Sequence, residues 1–110
     1  MTLDEYQNKA LRTINWELVD DALELHALHG LASEVGEIHV LYQKVYQGHK
    51  IDMIHLQKEI GDCLWFLAEL CTANGMSLEE VGEMNIAKLK SRYPHGFDAS
   101  HSIHRKDGDI

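Results

Sequence analysis

The sequence predicts an all-α fold, a four- to five-helix bundle that forms oligomers, on three observations. Apolar residues recur at alternating steps of three and four, which lays them in stripes along helices. Two segments, Thr2-Leu3-Asp4-Glu5 and Ser77-Leu78-Glu79-Glu80, have the form of a capping box, in which a hydroxyl and a carboxylate each satisfy a backbone N–H left over at a helix start. No stretch alternates with period two for long enough to make a sheet, and no repeat of fixed length occurs.

The first box opens a helix expected to reach about residue 14, before Asn15 and Trp16. A second helical segment is expected over about residues 17 to 47, with Gly48 ending it. A kink or break is expected near His29-Gly30, because glycine costs roughly 1 kcal/mol in a helix interior. Leu31, Val35, Ile38, Tyr42 and Val45 form its predicted core stripe. Asp52 caps a third helix, in which Met53, Leu56, Ile60, Leu64, Leu67 and Cys71 repeat the pattern before Asn74-Gly75 stops it. Met76 and Val81 stand at hydrophobic-staple positions around the second box, so a fourth helix follows over about residues 78 to 92, halted by Pro94 and Gly96. Residues 1–98 are read as one helical domain and residues 99–110, which lack periodicity, as a frayed tail.

The third helix is apolar nearly all round across Cys63-Leu64-Trp65-Phe66-Leu67-Ala68. That is more than a four-helix monomer of this size covers, so packing against a second copy in a homo-oligomer is predicted. Cys63 and Cys71 lie about 12 Å apart along one helix, beyond disulfide reach, and read as core thiols. With no signal peptide and no apolar run approaching 18 residues, the expectation is a soluble cytoplasmic protein that does not bind membranes.

The formal net charge of −8, from 18 acidic and 10 basic residues without a Lys/Arg-rich run, argues against binding a nucleic-acid duplex. A small polyanion remains compatible if a divalent cation mediates between its phosphates and protein carboxylates. Glu34-x-x-Glu37 and Glu59-x-x-Asp62 supply such carboxylates. Each pair lies one turn apart on the same side of its helix, beside the predicted core stripe. If the two helices are antiparallel neighbours, both pairs meet at one edge of the bundle. Four carboxylates gathered there would repel by roughly 3 kcal/mol per pair at about 5 Å, so a cation is required. All-oxygen donors select Mg²⁺, or Mn²⁺ in its place, over zinc.

Asn85, Lys88 and Arg92 align an amide and two cations on one face of the fourth helix, as a phosphate-binding row. Cations near a helix C-terminus are also favoured by the macrodipole alone. His26 and His29 share a helix face without a third ligand, and are assigned to surface or packing. No Glu-x-x-His occurs, which disfavours a di-iron carboxylate bundle. Trp65 and Phe66, borne on a helix, are assigned to the core.

Gly30-Leu31-Ala32-Ser33-Glu34-Val35-Gly36-Glu37, Lys58-Glu59-Ile60-Gly61-Asp62-Cys63-Leu64-Trp65 and Asn85-Ile86-Ala87-Lys88-Leu89-Lys90-Ser91-Arg92-Tyr93-Pro94 together resemble the MazG-like all-α nucleoside triphosphate pyrophosphohydrolases, over about residues 25 to 98. The resemblance implies Mg²⁺-dependent hydrolysis of a nucleoside or deoxynucleoside triphosphate to the monophosphate and pyrophosphate. It also implies a homodimer or homotetramer, with Glu34, Glu37, Glu59 and Asp62 as catalytic metal ligands. One carboxylate of the first pair is an alternative orienter of the attacking water. Asn85, Lys88 and Arg92 would bind phosphate, and the base-binding residues are unassigned. Two other readings stand beside this one: a non-catalytic, metal-dependent nucleotide-binding or regulatory oligomer, and a helical interaction module whose carboxylates only face solvent.

Overall fold

The computed structural model describes residues 1–110. The chain is all-α, with α1 (Leu3–Ala10), α2 (Ala22–Val45), α3 (Met53–Ala73), α4 (Leu78–Arg92) and α5 (Ala99–Ile103), and a 3-10 turn over Leu11–Thr13. It comprises two compact units, residues 1–78 and 79–110. No helix is long and apolar enough to cross a membrane.

Local chemistry sets most helix ends. The Thr2 hydroxyl accepts from the Glu5 N–H at 3.1 Å and starts α1, which tightens into the 3-10 turn close to where the first helix was expected to end. At the head of α3, Asp52 Oδ1 accepts from the N–H groups of Ile54 and His55 at 3.0 and 3.2 Å. At its end Gly75 adopts φ +67°, so that Gly75 N–H reaches the Thr72 carbonyl and Met76 N–H the Cys71 carbonyl at 3.2 and 2.8 Å. This pair of bonds satisfies carbonyls the helix leaves open.

α2 departs from expectation twice. It begins at Ala22 rather than near residue 17. Asn15 Oδ1 captures the Glu17 N–H at 3.1 Å and Asp20 adopts φ +54°, so local polar bonding and a left-handed residue displace the helix from this stretch. It then runs unbroken through Gly30, so the helix is not interrupted there. A Cβ at Gly30 would collide with the Phe66 ring of α3. Glycine thus admits a close approach between helices rather than interrupting one.

In the first unit α2 and α3 are the principal packed pair, with α1 against α3. Three contacts fix their direction: His26 with Glu69, Gly30 with Phe66, and Glu34 with Glu59. Advancing along α2 retreats along α3, so the helices are antiparallel. The core comprises Ala10, Ala68, Cys71 and Leu78, against which Tyr6, Leu64 and Trp65 pack. Both cysteines are free thiols, and Cys71 is buried.

The predicted stripes are only partly the buried ones. On α2, Ala27 and Leu41 are buried, whereas Val35, Tyr42 and Val45 are exposed; on α3, Met53, Ile60 and Leu67 are exposed. Ala27, Leu31, Glu34, Ile38 and Leu41 themselves follow steps of four and three, and all five are buried or half-buried. Both helices are apolar on more than one side, so periodicity alone does not say which side meets the neighbour.

In the second unit Gly96, at φ +92°, turns the chain after α4, and Asp98 Oδ1 caps α5 by accepting from Ser100 and His101 N–H at 2.8 and 3.2 Å. The segment 99–110, expected to fray, therefore contains a capped helical turn. It is tied to α4 by Asp109, which accepts from Arg92 Nε and Nη2 at 2.8 and 2.7 Å. That pairing spans seventeen residues and has no periodic signature.

Candidate metal centre

The antiparallel register of α2 and α3 brings one carboxylate of the first pair against both of the second. Carboxylate oxygens of Glu34, Glu59 and Asp62 all lie within 4.8 Å of one another. Glu34 and Glu59 are half-buried and Asp62 is exposed. Glu37, one turn on, is exposed and lies outside this trio, although its charge still acts on Glu34.

The electrostatics follow from this crowding. Glu34 is pushed up to about 7, first by a hydrogen bond in which it holds a proton against Glu59, then by burial and the charges of Asp62, Glu59 and Glu37. Glu59 is lowered, because it accepts from Glu34 and from His55. His55 Nε2 lies 2.9 Å from Glu59 Oε1, and the other oxygen, Oε2, is buried with no hydrogen-bond partner. The Cys63 thiol is raised by burial and by the charges of Glu34, Asp62 and Glu59. It is therefore a poor thiolate ligand. Burial also raises the Tyr6 phenol, with Asp62 adding to it, so α1 borders the same cluster.

An unpartnered buried carboxylate oxygen and a proton retained near neutrality mark a place short of positive charge. Its donors are all hard oxygens. The residues present therefore fit a divalent cation such as Mg²⁺ or Mn²⁺.

A family model described as the MazG nucleotide pyrophosphohydrolase domain matches residues 22–97. The chain belongs to the MazG family. The match runs from the start of α2 past the end of α4 and contains the seven candidate site residues Glu34, Glu37, Glu59, Asp62, Asn85, Lys88 and Arg92. α1 and α5 lie outside the MazG domain. The chain is also similar to the "Gene 37 protein" of Mycobacterium phage L5, 30% identical over 105 residues that cover 87% of this chain and 92% of that one. No solved structure matches it significantly. Family membership associates the MazG domain with metal-dependent nucleotide pyrophosphohydrolysis.

Of the row on α4, Asn85 and Lys88 are exposed, whereas the Arg92 side chain is only 9% exposed and engaged by Asp109. Trp65 and Phe66 are half-buried and meet edge to face at 5.0 Å. Trp65 Nε1 donates to Thr13 Oγ1 at 2.8 Å.

Sequence reasoning passed over His55 and Glu69. His55 had a signal, its i,i+4 spacing to Glu59. Glu69, 1% exposed, had none, because it sits inside an apolar run. Its Oε1 lies 2.6 Å from His26 Nδ1, and its Oε2 is buried without a partner. His26, assigned to surface or packing, thus faces a buried carboxylate.

Proposed function

We propose that the protein hydrolyses a nucleoside or deoxynucleoside triphosphate to the monophosphate and pyrophosphate, with Mg²⁺ held by Glu34, Glu59 and Asp62. The single observation that carries this reading is the convergence of those three carboxylates from α2 and α3 inside a MazG domain. A bound Mg²⁺ supplies Lewis acidity, polarising the phosphate oxygens and acidifying water. Glu59 gains the counter-charge that its unpartnered oxygen lacks, and His55 fixes its other oxygen. Glu37, which the family pattern places among the ligands, stands outside the trio. We assign it the orientation of the attacking water, whose proton it accepts as the anhydride P–O bond breaks. Lys88 and Arg92, with Asn85, take the phosphate-binding role that the resemblance gives them.

The apolar side chains left exposed on α2 and α3, among them Val35, Tyr42, Ile60 and Leu67, support assembly with a second copy as dimer or tetramer. Light scattering on the purified protein tests this, and a monomer at all concentrations removes it.

Incubation with a panel of nucleoside and deoxynucleoside triphosphates plus Mg²⁺, followed by product separation, tests the activity. Monophosphate and pyrophosphate are expected from at least one nucleotide, and their absence from all of them removes the hydrolase reading. Mg²⁺-dependent binding without product would favour the regulatory alternative. Glu59→Gln and Asp62→Asn are each expected to abolish turnover while the helical circular dichroism persists; full activity in either contradicts its assigned role.

A further inference from the structure

The C-terminal segment, beyond the matched residues 22–97, brings basic side chains together with those of α4 in a chain whose formal net charge is −8. Arg92, His101, His104, Arg105 and Lys106 line a cavity of about 130 Å³ together with Asp109. Lys88, Lys106 and Asp107 border an adjoining cavity, and Asp109 lines both. The acidic side chains lining these cavities are those of Asp107 and Asp109.

Asp109 is placed there with some specificity. Gly108 adopts φ +82°, and Asp109 N–H returns to the Lys106 carbonyl at 3.1 Å, a reversal that turns the carboxylate back toward α4. Both its oxygens then engage the guanidinium fork of Arg92, at 2.7 and 2.8 Å. The pair is 9% and 14% exposed. A fork of this geometry takes carboxylate and phosphate interchangeably. Lys88 and Arg105 also act on Asp109, and with Arg92 they hold its carboxyl below the usual range, so it is present as the anion.

We propose that this cationic pocket is a binding site for a small phosphate-type oxyanion, and that Asp109 is its resident stand-in, which the ligand displaces. The two adjoining cavities, about 130 and 290 Å³, are each below the roughly 300–1,000 Å³ of sites for drug-sized molecules, and the smaller, which Arg92 lines, is of the size of phosphate or pyrophosphate. The proposal rests on the reading of Arg92 as a phosphate-binding residue. It adds Arg105 and Lys106 to that role and makes the tail a competitor of the phosphates.

Calorimetric titration of the full chain with inorganic pyrophosphate, in chelator so that no metal centre contributes, tests it. Asp109→Asn is expected to bind roughly three- to tenfold more tightly than the unaltered protein, because the competing state is weakened. Asp107→Asn, which removes the same charge without touching Arg92, should change affinity less, and Arg105→Gln with Lys106→Gln should weaken it. Unchanged or weaker binding by Asp109→Asn, or an equal gain in Asp107→Asn, overturns the proposal; helical circular dichroism confirms that each variant is folded. The nucleotide panel separates this outcome from the hydrolase reading. Tighter pyrophosphate binding without hydrolysis of any nucleotide leaves the pocket standing alone, and hydrolysis with unmoved affinity removes only the pocket.

Discussion

The Phe66 ring of α3 occupies the space that a side chain at Gly30 of α2 would need. One turn further along α2 stands Glu34, so this close approach also sets how near Glu34 comes to Glu59 and Asp62. Gly30→Ala is therefore expected to lower stability by about 1–3 kcal/mol through overpacking, against the roughly 1 kcal/mol that alanine otherwise gains in a helix. Gly36, where an added Cβ meets nothing within 4 Å, should show that gain instead. Chemical denaturation of both variants checks the pair, and equal effects would contradict the packing role of Gly30.

Stability without metal should depend on pH in a direction opposite to that of most carboxylates. Glu34 is raised from its ordinary 4.5 to about 7 in the fold, so the folded chain holds the proton more tightly than the unfolded one. Its contribution is complete below about pH 4.5 and is lost as pH rises through about 7. Thermal melts in chelator from pH 5 to 8 are expected to show a falling midpoint. Adding Mg²⁺ should restore stability at the alkaline end, because the ion binds the deprotonated site of the native state. A flat profile in chelator would mean that the carboxylates do not share a proton.

His55 positions Glu59 through the 2.9 Å contact to Oε1. His55→Ala is expected to weaken Mg²⁺ binding by roughly 10- to 100-fold, the usual scale for losing a partner that orients a ligand, without unfolding α3. Mg²⁺ titration followed by thermal shift reads it out. Unaltered affinity would show the contact to be incidental.

His26 is the hydrogen-bond partner of Glu69, at 2.6 Å. His26→Ala leaves both oxygens of a carboxylate that is 1% exposed without a partner, at a cost of about 1–3 kcal/mol. Replacing both residues with apolar ones should cost less than His26→Ala alone, since no orphaned group remains. Urea denaturation of the single and double variants decides this, and a neutral His26→Ala would remove the pairing from the account of stability.

The helices were legible in the sequence wherever their signals are local. Thr2, Asp52 and Asn74-Gly75 act on backbone groups within a few residues of themselves, so their effect is encoded in short spacing. The two acidic pairs were legible for the same reason, being one turn apart on single helices. α2's start was missed because Asn15 and Asp20 hold residues compatible with helix in a loop.

Partners distant along the chain decided the rest. Gly30 looks like a breaker until Phe66 is seen against it, and an apolar helix surface does not say which side a neighbour will cover. Only the packing of α2 on α3 selected Glu34 over Glu37 for the carboxylate trio, left Val35 and Ile60 outside, and buried Glu69 beneath His26. Only the fold of the second unit drew Asp109 back onto Arg92. Caps and one-turn spacings depend on backbone geometry that every helix shares, whereas these contacts depend on where a second segment comes to rest.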